Sequence, residues 1–97
     1  MVKEIWKYPL LAATPIILAM PEGAVMLTVQ TQRGTPCLWA LVDPQAQKVD
    51  YTFHIIATGE PFNAVWDTEM SYVGSFQTKN ETYVWHLFRE QTGGNNG

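Results

Sequence analysis

The run Cys37-Leu38-Trp39-Ala40-Leu41-Val42 constrains the fold more than any other stretch of the chain. It is uncharged and lies between Pro36 and Pro44. Proline fixes φ and has no N–H, so each reads as a boundary and not as an interior ladder position. Six residues is strand length and too short for an ordinary helix. Side chains alternate along a strand, so Leu38, Ala40 and Val42 share one face and Cys37, Trp39 and Leu41 the other. Both faces are apolar, which predicts a central strand covered on both sides, with Trp39 fully buried.

The rest of the chain repeats strand-like patterns. Glu4–Tyr8 alternates, Trp6 and Tyr8 opposing Lys3 and Lys7, and Pro9 closes it. Ile16–Met20 is a short run between Pro15 and Pro21, followed by the turn-forming Pro21-Glu22-Gly23-Ala24. Val25–Arg33 is amphipathic: Val25, Leu27, Val29 and Thr31 are expected on one face, Met26, Thr28, Gln30 and Gln32 on the other. Arg33-Gly34-Thr35-Pro36 should turn it into the central run as a hairpin. Lys48–Thr58 is rich in β-branched and aromatic residues, and Ser71–Thr78 and Thr82–Glu90 form a second expected hairpin around Lys79-Asn80-Glu81. Residues 63–70 are compatible with one short helix capped by Asn63, or with a structured loop. The expected fold class is all-β, a small antiparallel sandwich or barrel of about seven strands. Residues 1–92 are expected to form a single β domain, and 93–97 a disordered tail.

Charge limits the partners. Only 15% of the 97 residues are charged, against a usual ~25%. Scarce charge together with two-sided apolar strands predicts a homo-oligomer. The net charge is −3, and the cations Lys3, Lys7, Arg33, Lys48, Lys79 and Arg89 stand singly along the chain. No basic stripe exists for duplex nucleic acid, whereas a small phosphate-bearing ligand needs only one or two cations and backbone donors. The single Cys37 cannot form an internal disulfide and reads as a small buried hydrophobe. Leu10–Met20 resembles a secretory h-region, but Pro15 interrupts it, Glu4 precedes it and Pro21 follows. It is also too short to span a bilayer, so no membrane partner and a cytoplasmic location are expected.

No catalytic constellation emerges. The two histidines lie on different strands without a metal-ligand pattern, Cys37 borders the most apolar run, and no phosphate-loop or nucleophile-elbow motif occurs. The chain therefore reads as non-enzymatic, with no metal and no cofactor. Binding has more support, because four Trp, four Tyr and four Phe exceed what a core this small uses. Most should fill the core or a subunit interface. The candidate ligand-binding residues are Trp6 and Tyr8 beside two lysines, Trp66 after Gly59, Thr58 at the preceding corner, and Arg33 and Arg89 for an anionic group, with Lys79 as a further cation. Arg33 and Arg89 are expected to edge one cleft.

A set of segments carries a family resemblance: Ile5–Tyr8, Met20–Ala24, Gln30–Gln32, Gly34–Pro44, Thr58–Pro61, Tyr72–Gln77 and Val84–Phe88. Together they resemble a domain-of-unknown-function family of short proteins from tailed phages and prophages, with Gly34–Pro44 the most specific part. The resemblance implies a phage accessory protein and brings no catalytic or binding residues with it. By analogy with other small oligomeric β proteins of phages, it implies counter-defence: sequestration of a small nucleotide-like immune signal of the cyclic oligonucleotide type. The alternative is a structural or adaptor module that binds protein.

Overall fold

The structure, a computed structural model, describes residues 2–11, 14–62, 69–80 and 82–91. Seven strands run through them: β1 (Glu4–Pro9), β2 (Ile16–Pro21), β3 (Val25–Gln32), β4 (Thr35–Val42), β5 (Lys48–Ala57), β6 (Met70–Thr78) and β7 (Tyr83–Glu90). All pairings are antiparallel, in a three-stranded sheet of order β1-β4-β3 and a four-stranded sheet of order β2-β5-β7-β6. Of the two all-β architectures expected, the sandwich is the one formed. The expected helix over 63–70 falls largely outside the described residues, although Met70 already belongs to β6. The expected tail at 93–97 also lies outside them.

β4 is central, but only within its own sheet. Leu38, Ala40 and Val42 are wholly buried on the inner face, where they meet the opposite sheet. Trp39 and Leu41 look outward and stay half-exposed, so the expectation of cover on both faces is corrected. A three-stranded sheet has one partner sheet, and β4 therefore has one inner side. Cys37, on the outward side, is nonetheless buried. Pro36 also lies one residue inside β4, opposite Thr31, and its carbonyl accepts a hydrogen bond from the Leu10 N–H at 2.8 Å.

β3 departs from simple alternation for a local reason. Met26 pairs with Ala40 and Thr28 with the adjacent Trp39, leaving Leu27 as the extra residue of a β-bulge. The bulge inverts the N-terminal half of the strand. Met26 and Val29 pack on the core, while Val25 and Leu27 are 48% and 45% exposed. The expected shared face of Val25, Leu27, Val29 and Thr31 is thereby corrected, since one inserted residue moves all that precede it to the other side. The β3–β4 turn follows expectation: Arg33 (φ 52°) and Gly34 (φ 82°) both adopt positive φ, as a two-residue type I′ hairpin requires.

The core lies between the sheets, around Phe53, Leu38, Met20, Val42 and Leu87. Tyr51 ties β5 to the β2–β3 turn, its hydroxyl accepting from the N–H groups of Gly23 and Ala24 at 3.0 and 3.2 Å. The free edges of β3 and β6 come together along one side of the sandwich. Gly74 permits this approach, because a Cβ there would stand 3.3 Å from Val29 Cγ1. Thr31 Oγ1 donates to the Gln77 carbonyl across the same seam at 2.5 Å.

Candidate functional site

The sandwich ends at the β3–β4 turn in a region rich in cations and amides. A cleft of about 670 Å³ opens where β3 meets β6, lined by Gln30, Thr31, Ser75, Gln77, Lys79 and Asn80 among others. A second, of about 560 Å³, lies on the outward side of the three-stranded sheet, against Lys7, Gln32, Arg33, Thr35 and Cys37. The two flank one turn, with Gly34 lining the first cleft and Arg33 and Thr35 the second. Both volumes fall in the range of small-molecule sites.

Strand geometry explains the clustering. Gln30 and Gln32 alternate on the outward face of β3 beyond the bulge, opposite Cys37 and Thr35 of β4. Lys7 stands two strands away, opposite Trp39, and its Nζ donates to Gln32 Oε1 at 2.7 Å. Lys79 is brought in by the β6–β7 turn, where it and Asn80 take left-handed φ values of 53° and 55°. A non-glycine residue held in that region is uncommon, and such strain concentrates at functional turns. Three of the six cations thus share one end of a chain whose net charge is −3. No carboxylate lines either cleft among the described residues.

The other expected site residues lie elsewhere. Trp6 and Tyr8 are partly buried and pack against the core. Trp6 donates from Nε1 to Glu4 Oε1 at 2.7 Å, and Lys48 Nζ stands 6.0 Å from its ring centroid. The Tyr8 hydroxyl is buried without a hydrogen-bond partner among the described residues. Burial pushes it above the ordinary tyrosine pKa, and the neighbouring Tyr51 adds to the rise. Trp66 lies outside the described residues. Arg33 and Arg89 line different cavities, Arg33 after the last residue of β3 and Arg89 beside its first residues. With the strand's 8 residues between them the separation is roughly 25 Å, so they do not edge one cleft.

Thr58 belongs to a different arrangement, on the outer face of the four-stranded sheet. Its Oγ1 lies 2.8 Å from His86 Nε2, and His86 Nδ1 lies 2.9 Å from Tyr72 Oη. A neutral imidazole donates at one nitrogen and accepts at the other, so one hydroxyl donates a hydrogen bond to the ring and the other accepts one from it. Phe88 packs edge-on to Tyr72 at 5.2 Å, and Phe62 tilts over Phe88 at 6.0 Å. His54 Nε2 and Glu90 Oε2 meet at 3.0 Å on the same face. Among the described residues, no group of three or more His, Cys, Asp or Glu could hold a metal ion.

The family model described as "Domain of unknown function (DUF7352)" matches residues 1–96. The chain belongs to that family. No curated protein and no solved structure matches it. The functional residues of this DUF7352 chain therefore have to be found in its own geometry. Expectation from sequence had picked out Arg33 and Lys79 but missed Lys7 and the three glutamines. Their only sequence signal was the polar face of β3, Gln30 and Gln32, which reads equally as a solvated surface. No helix among the described residues is long and apolar enough to cross a membrane.

Proposed function

We propose that this DUF7352 domain is a non-enzymatic binding protein that sequesters a small phosphate-bearing ligand at the β3–β4 turn. One observation carries the reading: Lys7, Arg33 and Lys79 converge with the amides of Gln30, Gln32 and Gln77 around two adjoining clefts free of described carboxylates. Guanidinium and ammonium groups meet phosphate oxygens, and side-chain amides match the donor and acceptor edges of bases. Two clefts sharing one turn suit a ligand with two phosphates. A cyclic oligonucleotide immune signal is of this kind, which agrees with the phage counter-defence role that the family resemblance implies. The domain would act by holding the signal away from its receptor, and needs no cofactor.

The test is calorimetry with a panel of cyclic di- and trinucleotides. Micromolar or tighter binding is expected for at least one of them. Arg33→Ala and Lys79→Ala should each weaken it by roughly ten- to a hundredfold, the worth of a charge-assisted contact of about 1.5–3 kcal/mol. Both residues are exposed, so their thermal stability should hardly change. Millimolar binding across the whole panel would overturn the reading.

A second reading rests on a different surface. Ile5, opposite Leu41, is 61% exposed on the outward side of the three-stranded sheet, beside Val25, Leu27 and the half-exposed Trp39. An apolar strip of this kind on a weakly charged domain favours protein contact. Covering it with a second copy gives the homo-oligomer expected from sequence; covering it with another protein gives the adaptor. Light scattering at micromolar concentration should show a mass above 11.0 kDa that Ile5→Glu lowers to the monomer value. A wild-type monomer throughout a dilution series would rule out the homo-oligomer and leave the strip to an adaptor role.

A further inference from the structure

Arg89 is partly buried and has no anionic partner among the described residues. It sits opposite Phe53 on β5 and Ser71 on β6, so its side chain follows the core side of the sheet. Its guanidinium carbon lies 4.7 Å from the centroid of the Tyr51 ring. Nε is buried without a hydrogen-bond partner among the described residues, and no described carboxylate forms an ion pair with the group. The adjacent Glu90 points to the opposite face, where it meets His54. The Tyr51 hydroxyl is taken by the Gly23 and Ala24 N–H groups. A guanidinium stays charged at any accessible pH, and a ring face attracts it without accepting the Nε–H as an oxygen does. Leaving a charge half out of water without a hydrogen-bonding partner is costly.

Arg89 lines a cavity of about 250 Å³ between the first residues of β3 and those of β6, together with Met26, Ser71 and Tyr72 among others. We propose that this cavity is a site for a small oxyanion of phosphate size, gripped by the two terminal N–H groups of Arg89. That pair of donors matches two oxygens of one anion. The Ser71 hydroxyl oxygen accepts from Gln91 Nε2, and its O–H, which has no acceptor among the described residues, can donate into the same space. The site lies at the far end of β3 from the cation cluster and does not depend on the proposed function of that cluster.

The chain contains only two arginines, which makes the test direct. In a nitrogen-15 spectrum of the wild-type protein, the side-chain Nε–H resonances of Arg33 and Arg89 report on separate sites in one titration with inorganic phosphate. The Arg89 resonance, together with the backbone amides of Ser71 and Val73, should shift and saturate in the millimolar range. The shift should persist in Arg33→Ala. In Arg89→Lys, which keeps the charge and loses the two-pronged geometry, the Ser71 and Val73 amides should need about tenfold more phosphate. An Arg89 resonance that stays still, or drifts without saturating, overturns the proposal whatever Arg33 does.

Discussion

Phe53→Ala should remove about 3–5 kcal/mol of folding stability, a third or more of what a domain of this size commonly possesses. Phe53 is 0% exposed, and it sits on the inner face of β5 between β2 and β7, opposite Ile16 on one side and Arg89 on the other. Truncation there loses the transfer free energy of the ring and leaves a cavity that strands from both ladders cannot collapse to fill. Trp39→Ala is the informative contrast. Its side chain is larger, yet it lies on the outward face of β4 and is only partly buried, so the loss should stay at about 1–2 kcal/mol in the monomer. Equilibrium denaturation of both variants sets the core between the sheets against the outward face of β4. Equal losses would mean that the outward face is as well covered as the core.

Deletions within β3 should separate even more sharply. Removing Gln30 should cost more than about 4 kcal/mol and leave the domain largely unfolded. One residue fewer in a regular stretch forces every side chain on one side of the cut to the wrong face. Val29 and Thr31 cannot then both point inward, and the seam hydrogen bond from Thr31 to Gln77 is lost along with the packing of Val29 on Gly74. Removing Leu27 should be tolerated, at about 1–2 kcal/mol, because Leu27 is the unpaired residue of the bulge. Without it Met26 still faces Ala40 and Thr28 still faces Trp39, so both faces keep their residues. Circular dichroism with thermal unfolding of the two deletions is the measurement. A folded Gln30 deletion, or an unfolded Leu27 deletion, would show the register of β3 to be set otherwise.

Much of the molecule was legible in residue order alone. Prolines and glycines punctuated the chain, β-branched and aromatic runs filled the spaces between them, and the bounds of all seven strands were found to within a residue or two. The β3–β4 hairpin was legible because Arg33-Gly34 can hold the two positive φ values that the turn needs. These are local properties, carried by residues adjacent in the chain. The inward and outward sides of β3 were not legible, since Leu27 looks like any strand residue until Ala40 and Trp39 show that it has no partner.

The candidate site was legible only in fragments. Arg33 and Lys79 stood out as cations in turns, and Thr58 as a corner residue, but nothing local says that Lys7 lies beside Gln32 or that Gln30 and Gln77 line one cleft. Those neighbours come from three separate ladders and from the approach of two sheet edges at Gly74. Arg89 gives the opposite lesson: its sequence suggested a cleft shared with Arg33, and β3 holds the two at its opposite ends. By itself the sequence determined the strands, their turns and the residues able to fill a core, because backbone sterics and side-chain alternation act within a few residues. Only the tertiary structure decided which apolar face meets water, where the bulge falls and which cations come together, because long-range pairing sets all three.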